Sequence, residues 1–324
     1  MDILFPFANS QPFFFPPQSL IGWLIGVMWL LVLILLLRRW QGYNSLLLPG
    51  KRWLFLLLLA AEVIFSFMVG FWMPPFGALP LPWLPITPPV PVLMLFAAIP
   101  WFLAAGMLGP LYAAILGLVS GVIMGAYGTH NPFYILELAI LGTLLGTLLR
   151  QRYRTAWYRW FRHPLFSIFI LLSVFLMIFT IDATALASGT LVARLDYAIS
   201  NLPTMILAVG GMMLAGALVT EILMFFKISG WGSTAPLEPS PAERSLQARF
   251  FYALLPISLL IVILLIVSDW IVAGRAARQM LQDRMSSTIS SSVQTIPFFL
   301  EAGQDLILQI SDDPRLYSPS SDGE

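Results

Sequence analysis

Residues 20–37 read LIGWLIGVMWLLVLILLL, an unbroken apolar run without a charged side chain. Wound into a helix, such a run reaches about 27 Å, close to the roughly 30 Å of a bilayer's hydrocarbon core. Working outward, further runs meet or approach that length at Trp53–Trp72, Pro91–Leu108, Leu111–Tyr127, Phe133–Leu149, Leu165–Ile181, Leu202–Phe226 and Phe250–Val272. Hydrophobic residues make up 59% of the chain and charged residues only 10%, which leaves no room for a soluble globular domain. The expected class is an all-α integral membrane protein with about eight transmembrane helices and a C-terminal extracytoplasmic amphipathic helix. Pro100, Gly109 and Pro110 leave the third to fifth runs open to two short crossings, a re-entrant pair or one kinked element.

Several chemistries are excluded at once. The chain has no cysteine, so disulfides, thiolate nucleophiles and iron-sulfur clusters are impossible. His130 and His163 are its only histidines, too few for a metalloprotease or haem site. No GxSxG, HExxH or GxxxxGK[ST] pattern occurs, so no catalytic residue, metal or cofactor is expected.

Basic residues set the orientation. Arg38, Arg39, Lys51 and Arg52 flank the first connection, Arg150, Arg152, Arg154, Arg159 and Arg162 crowd the one after the fifth run, and Lys227, Arg244 and Arg249 precede the last. Eight spans with the N-terminus outside place all of these in the cytoplasm and the C-terminal segment outside. The expected order is an extracytoplasmic tail over residues 1–19, a membrane body over 20–228, a flexible cytoplasmic linker over 229–249, a last span over 250–272 and an extracytoplasmic stalk over 273–324. Residues 1–19 carry no Lys or Arg, so the first run is expected to remain as an anchor.

The connections differ in kind. Met73–Val92 holds eight prolines among apolar residues and reads as an extended lid, neither helix nor paired strand, with Trp72, Trp83 and Trp101 as an interfacial belt. Arg150, Arg152, Arg154, Arg159 and Arg162 alternate with Trp157, Tyr158, Trp160 and Phe161, a pattern that suits anchoring on anionic headgroups better than nucleic-acid binding. Gly117, Gly121 and Gly125, with Gly142 and Gly146, form small-residue faces for close helix packing.

Ionisable residues inside apolar runs are costly and often functional. Glu62 lies mid-span with no basic residue expected at its depth. Glu137, with His130 and Asn131 on the preceding turn, is expected to form a polar pocket at the outer mouth. These four are the candidate ligand or proton sites. Asp182, Glu221 and Asp269 mark span ends.

Beyond the last run, Leu281, Met285, Ile289, Val293, Ile296 and Leu300 recur every three or four positions between serines, which predicts an amphipathic signalling helix. Pro297 is expected to end or kink it ahead of a second helix. The stripe needs a partner, and a homodimer through the last span and stalk is expected.

The stretches RFFYALLPISLLIVILLIVSDWIVAGRAARQMLQDRM and IPFFLEAGQDLILQISDDPRL resemble the start of the extracytoplasmic Cache-type sensors of bacterial histidine kinases, chemoreceptors and cyclic-dinucleotide enzymes. GPLYAAILGLVSGVIMGAYGTHNPFYILELAILGTLLGTLLRQRYR looks like the multi-helix membrane input regions that precede such modules. The resemblance implies a bacterial cytoplasmic membrane, an unknown small-molecule ligand and a sensory input region that moves its last helix. The α/β body of a Cache domain is absent from the sequence, which implies either a longer receptor or use of the stalk alone. Two other readings stand beside it. One is a small-solute transporter component similar to the membrane-embedded substrate-binding subunits of vitamin importers; the other is a non-catalytic scaffold subunit.

Overall fold

The structure is a computed structural model that describes residues 4–8, 10–45, 49–74, 91–226, 230–233, 236–240 and 296–312, with scattered positions between 243 and 293. The chain divides into two compact units, Met1–Ser240 and Pro241–Glu324.

In the first unit, helix α1 (Leu20–Arg39) opens at Ser19, whose hydroxyl accepts the Gly22 N–H at 3.1 Å, and closes with Arg38 and Arg39 beside its carbonyl end. One side of it, including Leu20, Trp23 and Leu35, is exposed, while Leu33 is buried against Ala139, Ile140 and Ile178. A helix apolar all round with one side free of protein neighbours belongs at the lipid boundary. Helix α2 (Pro49–Phe65) leads to strand β1 (Gly70–Trp72), which pairs antiparallel with β2 (Val92–Met94). Helices α3 (Ile99–Met107), α4 (Pro110–Met124) and α5 (Tyr134–Arg150) follow, with a π-helical turn at Gly125–Thr129 extending α4. A short α6 (Ala156–Trp160) precedes the long α7 (Pro164–Leu186) and α8 (Leu191–Phe225).

Among the described residues, four helices are long and apolar enough to cross a membrane: Leu20–Arg39, Pro110–Thr129, Pro164–Leu186 and Leu191–Phe225. The protein is a mostly helical membrane protein, and the expected eight full spans are not found among the described residues. Helices α2 and α5 have 17 residues each, about 25 Å of helix. The third run is not one helix at all: it starts as β2, and α3 has only 9 residues, about 13 Å. Val92, Met94, Ala97 and Ala98 are buried in protein, which lets non-helical backbone lie within an apolar body. The chain around Pro100, Gly109 and Pro110 forms two separate helices, α3 and α4, and not one kinked element. Pro100 is absorbed in the first turn of α3, and Gly109, at φ 120, turns the chain into Pro110 at the first position of α4.

Other expectations are corrected too. At the edge of the proline-rich connection Val92 pairs as strand with Trp72, and the Met73 N–H donates to the Pro91 carbonyl at 3.0 Å; residues 75–90 lie outside the described residues. Trp101 is fully buried against Phe102 in the core and not at an interface. Trp231, Gly232 and Glu238, within the stretch read as flexible linker, are seated on the body. The Trp231 indole occupies the space a side chain on Gly106 would need, and Glu238 exchanges backbone hydrogen bonds with Arg152 and Arg154. Helix α8 starts eleven residues before the apolar run does, at the Thr190 cap.

The α4–α5 pair is the tightest packing in the body. A Cβ on Gly117 would stand 2.5 Å from the Leu138 carbonyl oxygen, and one on Gly142 would stand 2.5 Å from that of Ala113. The small-residue faces therefore serve contact within the chain.

Hydrogen bonds sort the element ends onto two faces. Tyr43, Asn44, Gly106, Met107, Leu111 and Arg150 are tied together at one, the basic end. Phe13, Phe15, Ala126 and His130 are joined at the opposite end.

In the second unit, residues 250, 254, 258, 261, 265, 268 and 272 are helical. So are Met285, Ile289 and Val293, and residues 296–311 are helical, Pro297 among them; residues 294 and 295, just ahead, lie outside the described residues. Leu281 and Asp269 lie outside the described residues.

Candidate functional site

Two buried acidic centres form inside the body. The first is on α2. Glu62 is fully buried; its Oε1 accepts from the Ser66 hydroxyl at 3.1 Å, one helical turn on. The Ser66 and Ser120 hydroxyls are 3.5 Å apart, which links the group to α4, and Ser120 approaches the Met124 sulfur at 3.7 Å. Glu62 Oε2 has no hydrogen-bond partner among the described residues. A buried oxygen left open in this way is a place for a donor from a ligand or water.

The second centre draws on three helices. Glu137, one turn into α5, and Asp182, one turn from the end of α7, bring their carboxyl groups within hydrogen-bond reach of each other. The Trp29 indole N–H on α1 donates to Asp182 Oδ1. Neither Glu137 oxygen meets a donor from any other described group, and Asp182 Oδ2 also lacks one. Carboxyl oxygens only accept unless one is protonated, so Glu137 and Asp182 can hydrogen-bond to each other only when one of the two carries a proton. The arrangement can bind or release a proton or a small donor while touching α1, α5 and α7 together.

The expected outer-mouth pocket of His130, Asn131 and Glu137 does not form. His130 has φ 55, stacks on Phe13 at 3.7 Å between centroids, and directs Nδ1 to the Ala126 carbonyl oxygen at 2.9 Å. Asn131 Oδ1 accepts the Phe133 N–H at 3.0 Å, capping the turn into α5. Both are occupied locally. Glu137 finds its partner across the bundle in Asp182, a residue whose span-end position gave no hint of pairing, and Trp29 offered no signal in an apolar run.

The arginine block is also divided. Arg150, expected at the headgroups, is buried: Nε donates to the Tyr43 carbonyl at 2.7 Å and Nη1 to those of Gly106 and Met107 at 3.0 and 3.1 Å. It neutralises the carbonyl end of α3, where peptide dipoles leave partial negative charge. Arg152 lies over the Tyr43 ring, and Arg154 uses its backbone N–H on Glu238. Burial, with Tyr153 beside it, pushes the Tyr43 hydroxyl up to about 12. Arg159 and Arg162 line a cavity at this end. Trp157 and Trp160 stand exposed on α6. At the same end His163 Nδ1 lies 2.9 Å from Glu221 Oε1, joining α7 to α8. Among the described residues no group of three or more His, Asp or Glu is arranged to hold a metal ion.

A Glu137→Gln variant is expected to stay within about 1 kcal/mol of the parent, because the amide still donates to Asp182. Glu137→Leu leaves a buried carboxyl short of a partner and is expected to cost about 2 kcal/mol. Thermal unfolding in detergent separates the two; equal losses would rule out a hydrogen-bonded pair.

In comparisons with known proteins, no family, no curated protein and no solved structure matches the chain.

Proposed function

We propose that this chain is the membrane-embedded sensory input region of a bacterial signal-transduction receptor, which passes a stimulus from the helical body to its last transmembrane helix. The carrying observation is the division into a compact body and a separate helical unit whose apolar side chains, among them Met285, Ile289, Val293, Ile296 and Leu300, are exposed. Such a face requires a partner, and a second copy of the same helix supplies one by symmetry. The Glu137–Asp182–Trp29 centre supports the input role. A change at one carboxyl alters contacts of three helices at once, and a two-state packing is biased by whatever binds one state better. No chemistry within the chain is required.

The open Oε2 of Glu62 favours a second reading, a membrane-embedded substrate-binding component of a small-solute transporter.

Sidedness tests the proposal. The chain has no native cysteine, so single cysteines at Gly42, Leu191 and Ser311 report without background. In intact cells a membrane-impermeant maleimide is expected to label Leu191→Cys and Ser311→Cys, and Gly42→Cys only after permeabilisation. Labelling of Ser311→Cys together with Gly42→Cys removes the outward signalling helix and leaves the transporter reading.

A further inference from the structure

A cavity of about 280 Å³ opens at the basic end of the body, between the residues following α5, the α6–α7 turn and the segment around Trp231. Its walls include Gln151, Arg152, Arg159, Arg162 and His163. Only His163 has an acidic partner, Glu221; among the described residues no carboxylate forms an ion pair with Arg152, Arg159 or Arg162. The arginine hydrogen bonds that do form go to neutral carbonyls: Arg152 to Gly42 at 2.9 Å, and Arg162 to Tyr153. These bonds fix the guanidinium planes without balancing their charge.

Donors and an acceptor are left open at the same place. Nε of Arg152 and Nε of Arg162 are buried without an acceptor. Gln151 is only 5% exposed; its amide nitrogen donates to the Tyr158 carbonyl, and its Oε1 is buried without a donor. Burial, and then the neighbouring Arg159, hold the Arg162 guanidinium below the usual arginine range. Buried polar atoms are satisfied in nearly all folded proteins, so the complement of this cavity can be specified. It has several anionic oxygens for separate guanidinium groups, and one hydroxyl or ammonium for Gln151. A carboxylate offers two coplanar oxygens, whereas a phosphate spreads its oxygens tetrahedrally over donors arriving from different directions. The volume exceeds that of a few waters and suits a small polar group.

We propose that this cavity binds a phosphate ester, with the phosphate on Arg152, Arg159 and Arg162 and an adjoining hydroxyl or ammonium on Gln151. The ester is either the headgroup of a phospholipid in the adjacent leaflet or a soluble phosphorylated molecule.

The full chain in detergent micelles is titrated with phosphatidylglycerol, phosphatidylethanolamine and phosphatidylcholine, read by native mass spectrometry, and separately with glycerol 3-phosphate, read by calorimetry. Retention of the first two lipids about tenfold over phosphatidylcholine, whose choline cannot donate, assigns the lipid source; saturable glycerol 3-phosphate binding assigns the soluble one. In either case Arg162→Gln is expected to weaken binding about tenfold, as the loss of one charge-assisted hydrogen bond does. Gln151→Leu is expected to erase the preference for a donor-bearing headgroup. Arg154→Gln, outside the cavity walls, leaves binding unchanged. Arg162→Lys keeps the charge and loses the fork, so it carries the comparison if the glutamine variant does not fold. The proposal is overturned if no probe binds in an Arg162-dependent way, or if Arg154→Gln weakens binding as much as Arg162→Gln, which marks diffuse charge.

Discussion

Gly142→Leu is expected to prevent recovery of a folded body, with a loss of about 3 kcal/mol or more where any folded fraction survives. The added Cβ alone would sit 2.5 Å from the Ala113 carbonyl oxygen and 2.9 Å from its carbon. Those are backbone atoms of a neighbouring helix, so no side chain can swing aside. The helix cannot retreat cheaply either, because Gly117 makes the reciprocal approach to Leu138. Separating the pair opens gaps along a contact that in lipid depends on dispersion between close backbones. Gly26→Ala is the matched control, since its Cβ would meet only the Phe133 ring edge at 3.4 Å. Size-exclusion profile and thermal unfolding in detergent read both. A Gly142→Leu variant that is monodisperse and melts with the parent would show that α4 and α5 are not packed backbone to backbone.

Arg150→Met carries the second large effect. Methionine fills the volume of the aliphatic stem but leaves the Tyr43, Gly106 and Met107 carbonyl oxygens without their charged donor. With a buried group losing charge-assisted hydrogen bonds at three acceptors, the expected loss is about 3 kcal/mol. Arg150→Lys should restore part of it, because an ammonium reaches those oxygens from one point and cannot reproduce the guanidinium fork. Replacement of His163 is the contrast. Its contact with Glu221 is partly exposed, and removing it is expected to cost less than about 1 kcal/mol. Equal melting temperatures for Arg150→Met and the parent would contradict the buried cap.

How much of this was legible in the sequence follows from what kind of force placed each residue. Apolar length announces helices that lipid surrounds, and α1 and α7 follow their runs closely. Polar positions obscure a helix that leaves the apolar layer: Arg194, Asp196, Ser200 and Asn201 hid the first turns of α8 from any hydropathy reading. The β1–β2 pair was hidden because its two three-residue strands lie at the edges of apolar runs that read as helix, next to a connection whose prolines argue against pairing. Glu62 and Glu137 stood out because charge in an apolar run is rare. Their partners did not, since a carboxyl near a helix end reads as interfacial until another helix is packed against it. Arg150 was misplaced for the same reason. Nothing local distinguishes an arginine that snorkels to headgroups from one that turns inward to cap a neighbour's carbonyls.

Helix α8 is 35 residues long, about 52 Å, and so overshoots a hydrocarbon core of about 30 Å by some 20 Å. Its interior proline, Pro203, lies twelve residues from Leu191 and removes one backbone hydrogen bond, which makes this the place where the helix bends most easily. A bend of about 5° there carries Leu191, about 18 Å away, sideways by about 1.6 Å. Since α8 packs along α7, which bears Asp182, sub-ångström adjustments at a buried carboxyl gain leverage on their way to the rim. Spin labels at Leu191 and Gly42 would read such a displacement as a change in the distance between them.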